Sequence, residues 1–188
     1  MTRSVFALEM CLRYDPELAA GVRAMLTGDT TQPSPGHLWN LWNQTVTGIL
    51  RRKAAWMTGC WDFFEEPAKA QSDFQMWAKG LLTAEGARKA PSGSAEPYRG
   101  AERFMTLTMA CLLVKGSVAE RTLAGVCNIP EAYLWHRASF ERILAGVPHI
   151  NFAVVDRATL YLIPKEDGWA LTAEDMRDPK FQYLRPIV

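Results

Sequence analysis

Catalysis and metal binding need side chains that trade protons, hold cations or attack electrophiles, and in this sequence such side chains are scattered. His37, His136 and His149 have no Cys or carboxylate at the spacings that place ligands around a metal ion. No glycine loop of the phosphate-cradling kind is present, and no serine sits in a nucleophile-elbow pattern. Glu65 with Glu66, and Glu174 with Asp175, are adjacent pairs; neighbours one apart on a helix point to different sides, so capping or solvation is their expected role. Cys11, Cys60, Cys111 and Cys127 lie far apart in apolar or helical-looking stretches, which reads as reduced, buried thiols rather than a disulfide framework or a zinc site. The expectation is a non-catalytic protein with no cofactor and no metal.

Charge does not name a partner either. Twenty-one Lys and Arg against twenty Asp and Glu leave +1, so no overall field draws in nucleic acid or an anionic membrane, and recognition must be local. The longest apolar run, residues 109–114, is far short of the roughly 20 residues that cross a bilayer. The first residues also lack an apolar stretch with a small-residue cleavage site, so a cytoplasmic location is expected. Aromatic residues are the stronger signal. Seven Trp, eight Phe and five Tyr exceed what a small helical core requires, and Trp and Tyr commonly anchor interfaces. Trp135, Trp169, Phe181, Tyr183 and Leu184 are the candidate protein-binding residues, because the last stretch, 178–188, must either dock on its own domain or be covered by a partner. That partner is expected to be another protein or a second copy of this chain.

The elements that must position these residues read as mostly helical. Asp15, Pro16 and Glu17 form an N-cap, a first-turn proline and a dipole-matched acid, which predicts a helix over 16–27 with Leu18, Val22, Met25 and Leu26 inward and Gly28 closing it. Residues 5–12 are apolar without a clear period and fit either strand or helix. Pro33 and Pro35 make 29–36 a loop. Trp39, Trp42, Val46, Ile49, Lys53, Trp56, Cys60 and Phe63 then recur at alternating spacings of three and four, which predicts one long helix over 37–66. Gly48 and Gly59 within it suggest close helix approach or a kink, and Arg51, Arg52 and Lys53 read as a charged, exposed turn. A shorter helix over 68–82 turns Phe74, Trp77, Leu81 and Leu82 inward.

Gly and Pro make 85–100 an exposed linker or long loop. Beyond it the pattern predicts a helix over 101–115, a helix capped by Ser117 and Glu120 that ends near Cys127, and a third over 131–145. Residues 151–155 and 159–163 read as a hairpin around Asp156, Arg157 and Ala158. Residues 169–171 could add a strand, 172–177 a helical turn, and 178–188 an extended tail. The expected fold class is mainly α: a helical bundle with a C-terminal unit of three helices plus a β-hairpin. Its division is a helical region at 1–85, a linker at 86–100, and a winged-helix-like region with tail at 101–188, the whole forming either separate units or one compact domain.

Three helices followed by a hairpin over 101–163, with Leu123, Ala124, Cys127, Asn128, Ile129 and Leu134 around the central turn, resemble a winged helix-turn-helix domain. The resemblance implies Asn128 at positive φ in that turn and duplex DNA as the alternative partner, with His136, Arg137 and Arg157 as candidate nucleic-acid contacts. Residues 98–165 hold eight Lys or Arg against five acids, a mild cationic bias. The helix start itself presents Glu131, Ala132, Trp135 and His136, which are poor readers of base edges. The first expectation is therefore an adaptor, regulator or assembly subunit that works through aromatic-rich helical surfaces, and a DNA-binding regulator is the alternative.

Overall fold

The computed structural model describes residues 2–27, 33–80, 88–89, 100–165 and 169–188. The apolar segment left open between strand and helix is β1 (Arg3–Arg13), and it pairs antiparallel along its whole length with β4 (Arg103–Val114), Arg3 opposite Val114 and Arg13 opposite Phe104. β2 (Trp56–Phe64) flanks β1, and β5 (Val155–Ile163) flanks β4, both antiparallel. The short strands β3 (Arg88–Lys89), β6 (Trp169–Thr172) and β7 (Arg185–Pro186) complete a seven-stranded sheet, β6 on the first residues of β4 and β7 on Thr58 and Gly59 of β2. A large antiparallel sheet with helices on both faces is a mixed α/β architecture, so the helical-bundle expectation is overturned. With it goes the winged-helix unit.

The helices sort by face. α1 (Pro16–Leu26), α2 (Pro35–Leu50), α4 (Val118–Cys127) and α5 (Arg137–Gly146) cover one face, where Phe6, Leu8, Met10 and Leu12 of β1 meet Leu18, Trp42, Val46, Leu123, Phe140 and Ile143. α3 (Pro67–Gly80) covers part of the other, packing Ala70 and Phe74 on Val5, Ala7, Ala110 and Leu112. The C-terminal tail covers the rest of that face through Phe181 and Leu184, against Cys11, Phe104, Ile163 and Leu171. Two central strands buried on both sides explain the misreading of 101–115 as helix: such strands lose the polar alternation that marks a one-sided strand.

Other expectations fall for equally local reasons. The long helix over 37–66 stops at Leu50, and β2 begins at Trp56; Arg51, Arg52 and Lys53 form the turn between them, with Arg52 bonded to Asp15 and Glu17. Trp42, Val46, Ile49 and Trp56 are buried as their spacing suggested, but Trp39 is 42% exposed. No hairpin spans 151–163: Phe152–Val154 is a 3-10 turn and β5 runs straight through Arg157 and Ala158. The register of β5 shifts between Leu112 and Leu113 of β4, and the extra residue there, Asp156, reaches Arg3 at 2.7 Å. The helix over 131–145 divides into a 3-10 turn, Glu131–Tyr133, and α5. Asn128 has φ −73°, and among the described residues only glycines have positive φ, so the helix-turn-helix register is wrong.

Several local signals hold. Asp15 caps α1 by accepting the Leu18 N–H, and Pro16 opens it; Gly28, Leu81, Leu82 and most of the 85–100 stretch lie outside the described residues. Ser117 caps α4, although Glu120 reaches past it to the Gly116 N–H and also takes the Ser4 hydroxyl, which ties the helix start to β1. Gly116, at φ +80°, makes the sharp reversal from β4 into that cap. β6 and the turn at Asp175–Arg177 appear as read, but the tail over 178–188 is extended only from Leu184 on, because Asp178 caps a 3-10 turn at Pro179–Phe181. The four thiols are free, and no described helix is long and apolar enough to cross a membrane.

Two positions test this packing. A Cβ on Gly59 would stand 2.6 Å from the Phe140 ring, which is fully buried and cannot give way. Gly59→Ala should cost about 1–3 kcal/mol in urea unfolding, as overpacking does; a neutral result would mean that Phe140 does not lie under β2. The second position is Glu9, at the centre of the sheet on the tail side and 0% exposed, opposite Thr108 and Cys60. The Tyr183 hydroxyl donates to its Oε2 at 2.7 Å, and Oε1 has no hydrogen-bond partner among the described residues. Burial pushes this carboxyl up to about 7, against the pull of the Tyr183 and Thr108 hydroxyls. A folded-state value above the ordinary 4.5 favours the protonated fold, so that stability is present at acid pH and is lost as pH rises from about 4.5 through about 7. The loss amounts to about 3 kcal/mol at 1.36 kcal/mol per unit. Glu9→Gln should flatten the urea midpoint between pH 5 and pH 8, whereas parallel profiles for the two proteins would refute a buried titrating carboxyl.

Candidate peptide-binding groove

β2 is an edge strand for most of its length. The tail satisfies its first residues, since Ile187 donates its N–H to the Met57 carbonyl at 3.1 Å and Pro186 and Arg185 stand opposite Thr58 and Gly59. Beyond Gly59 no described strand lies on that side. The bonding sides of an antiparallel strand alternate, so with Met57 turned toward the tail, Gly59, Trp61 and Phe63 present their backbone groups to the same open side. Thr58, Cys60, Asp62 and Phe64 turn theirs to β1.

A groove of about 1140 Å³ runs along this edge. Its floor is Cys60–Phe64; α4 supplies Ala124, Gly125 and Cys127, and Leu134 and Trp135 stand beside them. Trp61 is fixed by its indole N–H, which donates to the Leu134 carbonyl at 2.9 Å, and Trp135 packs against the main core while its carbonyl accepts the Val188 N–H at 3.0 Å. The groove thus joins aromatic walls to an unpaired strand edge. Side chains of β2 alternate across it: Trp61 and Phe63 pack toward the four-helix face, and Cys60 with Asp62 lie on the face that carries Glu9 and α3.

Besides Glu65, Glu66 and Lys115, the groove is lined by the acid Asp62. Burial pushes its carboxyl up to about 6, the Phe63 N–H it accepts works against that rise, and the charge of Asp73 on α3 adds to it. Thiol chemistry has no foothold here. Burial pushes Cys60 up to about 11 and Cys127 up to about 12, so both stay protonated at neutral pH. Among the described residues no three His, Cys, Asp or Glu gather as they would around a metal.

The residues singled out in the sequence are not gathered into one site. Trp135 lines the groove. Phe181 and Leu184 are buried under their own sheet, and Tyr183 is partly exposed while its hydroxyl donates to Glu9. Trp169 has its backbone in β6, and its side chain lies outside the described residues. His136 is exposed at the start of α5, edge-on to Tyr133, and Arg137 beside it donates to the Lys53 carbonyl at 3.3 Å. Arg157 is exposed on β5, at the opposite edge of the sheet from Arg137. The three candidate nucleic-acid contacts therefore form no common surface. The β5 edge has a different character: its bulge and the Arg3–Asp156 pair present charge, as protected edges do.

Trp61, Asp62 and Phe63 escaped the sequence reading because 56–64 was absorbed into a helical stripe. A period-two signal was present, Met57, Gly59, Trp61 and Phe63 alternating with Thr58, Cys60 and Asp62, in a segment rich in aromatic residues. Comparison with protein-family models, curated proteins and solved structures returns no match, so the groove and the chemistry of its residues carry the functional argument.

Proposed function

We propose that this protein is a non-catalytic protein-binding module that takes an extended segment of a partner as an added strand along β2. The observation that carries the reading is the tail, which already pairs antiparallel with the first residues of this edge, joining it at Gly59 beside the groove and running from there toward Met57. The edge there bonds to an extended chain of the protein's own, and the outward backbone groups of Trp61 and Phe63 continue the same ladder, the Phe63 N–H being held in the meantime by the Asp62 carboxylate. Main-chain bonding would supply affinity independent of sequence, and the walls formed by Trp61, Phe63, Leu134 and Trp135 would supply apolar contact.

Two features support a binding role over a catalytic one. The most perturbed carboxyl, Glu9, is sealed beneath the tail with no exposed surface, and the groove thiols are held protonated. Buried free thiols also favour a reducing compartment, so we read the location as cytoplasmic. The DNA-binding alternative has lost the helix-turn-helix that recommended it.

Hydrogen exchange tests the reading in two steps. In the free protein the amides of Cys60 and Asp62, bonded into β1, should exchange slowly, and that of Trp61 should exchange fast. Random octapeptides displayed on phage and selected on the protein should then include binders that slow exchange at Trp61 and Phe63. Phe63→Pro, which removes an outward N–H and leaves the β1 ladder intact, should abolish that binding with the fold retained by circular dichroism. Selected peptides that leave Trp61 and Phe63 unprotected, or a selection that returns none, would refute strand addition.

A further inference from the structure

We propose that the segment accepted along β2 carries an apolar–basic–apolar pattern, in which a lysine or arginine pairs with Asp62 between two apolar residues that enter the aromatic groove. The proposal rests on the strand-addition reading and names the partner's chemistry. Its first ground is register. In an antiparallel pair the residue directly opposite shares its partner's face, with Cβ atoms about 4.5–5.5 Å apart. Residues opposite Trp61 and Phe63 would point to the α4 side, toward Leu134 and Trp135, and the residue opposite Asp62 would point to the α3 side.

The second ground is the charge on that side. Asp62 is half-buried, takes only the Phe63 N–H, and has no cation within ion-pair distance among the described residues. Asp73 raises the negative potential around it, and Glu65 extends that potential along the groove. Glu66 is already held by Lys69 at 2.7 Å. Of the nearby cations, Lys115 lines the same groove without an ion pair to Asp62, and Arg142 is occupied with the Gly125 carbonyl at 2.7 Å. A long cationic side chain on an added strand would meet an acid that lacks a counter-charge, and its arrival would free the Phe63 N–H for the new ladder. A second copy of this chain is the poorer occupant, because pairing β2 antiparallel with itself along the groove would set acid against acid, Asp62 meeting Asp62 or Glu65 of the other copy.

The test uses the full chain and three octapeptides that share a Thr-Val-X-Val-Thr centre, with X as Lys, Gln or Glu, titrated to about 1 mM by tryptophan fluorescence and amide exchange. The expected result is at least about tenfold tighter binding for Lys than for Gln, weaker binding still for Glu, and loss of that ranking in Asp62→Asn. Asp73→Asn, which leaves the groove untouched, should reduce the preference only in part. Equal binding of Lys and Gln peptides with protected Trp61 and Phe63 amides would overturn the charge pairing and leave strand addition standing. No binding by any peptide, binding without that protection, or concentration-dependent dimerisation through β2 would overturn both.

Discussion

The antiparallel ladder between β1 and β4 is the constraint on which the rest of the molecule depends. It joins residues about a hundred apart in sequence, and nearly every side chain along it is buried. Because side chains alternate strictly, a slip of one residue would exchange the two faces, carrying Glu9 into the apolar cluster under α1, α2, α4 and α5 and turning Phe6, Leu8 and Met10 toward the tail. One buried acid in the middle of the ladder thus fixes its register more firmly than another leucine would. Tyr183 then gives that acid its hydrogen bond, so the tail's place on the sheet follows from the same residue.

Around this ladder the chain repeats one plan. A strand, two helices and an antiparallel return strand occur as β1, α1, α2, β2 and again as β4, α4, α5, β5, with both helix pairs on the same face. Among the described residues the opposite face has no second helix pair, and α3 and the tail divide the covering between them. This division gives the two outer edges their different fates. β5 opens on a charged bulge, while β2 receives two residues of tail and then a groove.

What the sequence discloses follows from how local each signal is. Asp15 with Pro16, and Ser117 with Glu120, announce helix starts because a cap is made within four residues. Strand partners cannot be read that way. Residues 103–114 hold Leu, Met and Ala, which suit helices, and their burial on both faces erases the period that would have marked a strand; only Thr106 and Thr108 keep a trace of it. The stripe from Trp39 to Phe63 misled for a further reason. Trp56, Cys60 and Phe63 keep the helical spacing of four and three, although in β2 Trp56 and Phe63 face the four-helix side and Cys60 the tail side, and the three cations 51–53 that end α2 read as one exposed turn of a longer helix. The groove was legible only in part: Trp135 stood out as an aromatic anchor, but Asp62 acquires meaning only from the edge on which it lies.

The long sequence gap inside the central ladder also bears on synthesis. About ninety residues separate the end of β1 from the start of β4, and at roughly 5–20 residues per second the ribosome needs roughly 5–18 seconds to make them. During that interval β1 and β2 have emerged with one flank of the largely apolar β1 still waiting for its mate. Nascent chains are therefore exposed to strand-to-strand aggregation early in translation, and slow codons between α3 and β4 would lengthen the hazard while a chaperone bound there would shorten it.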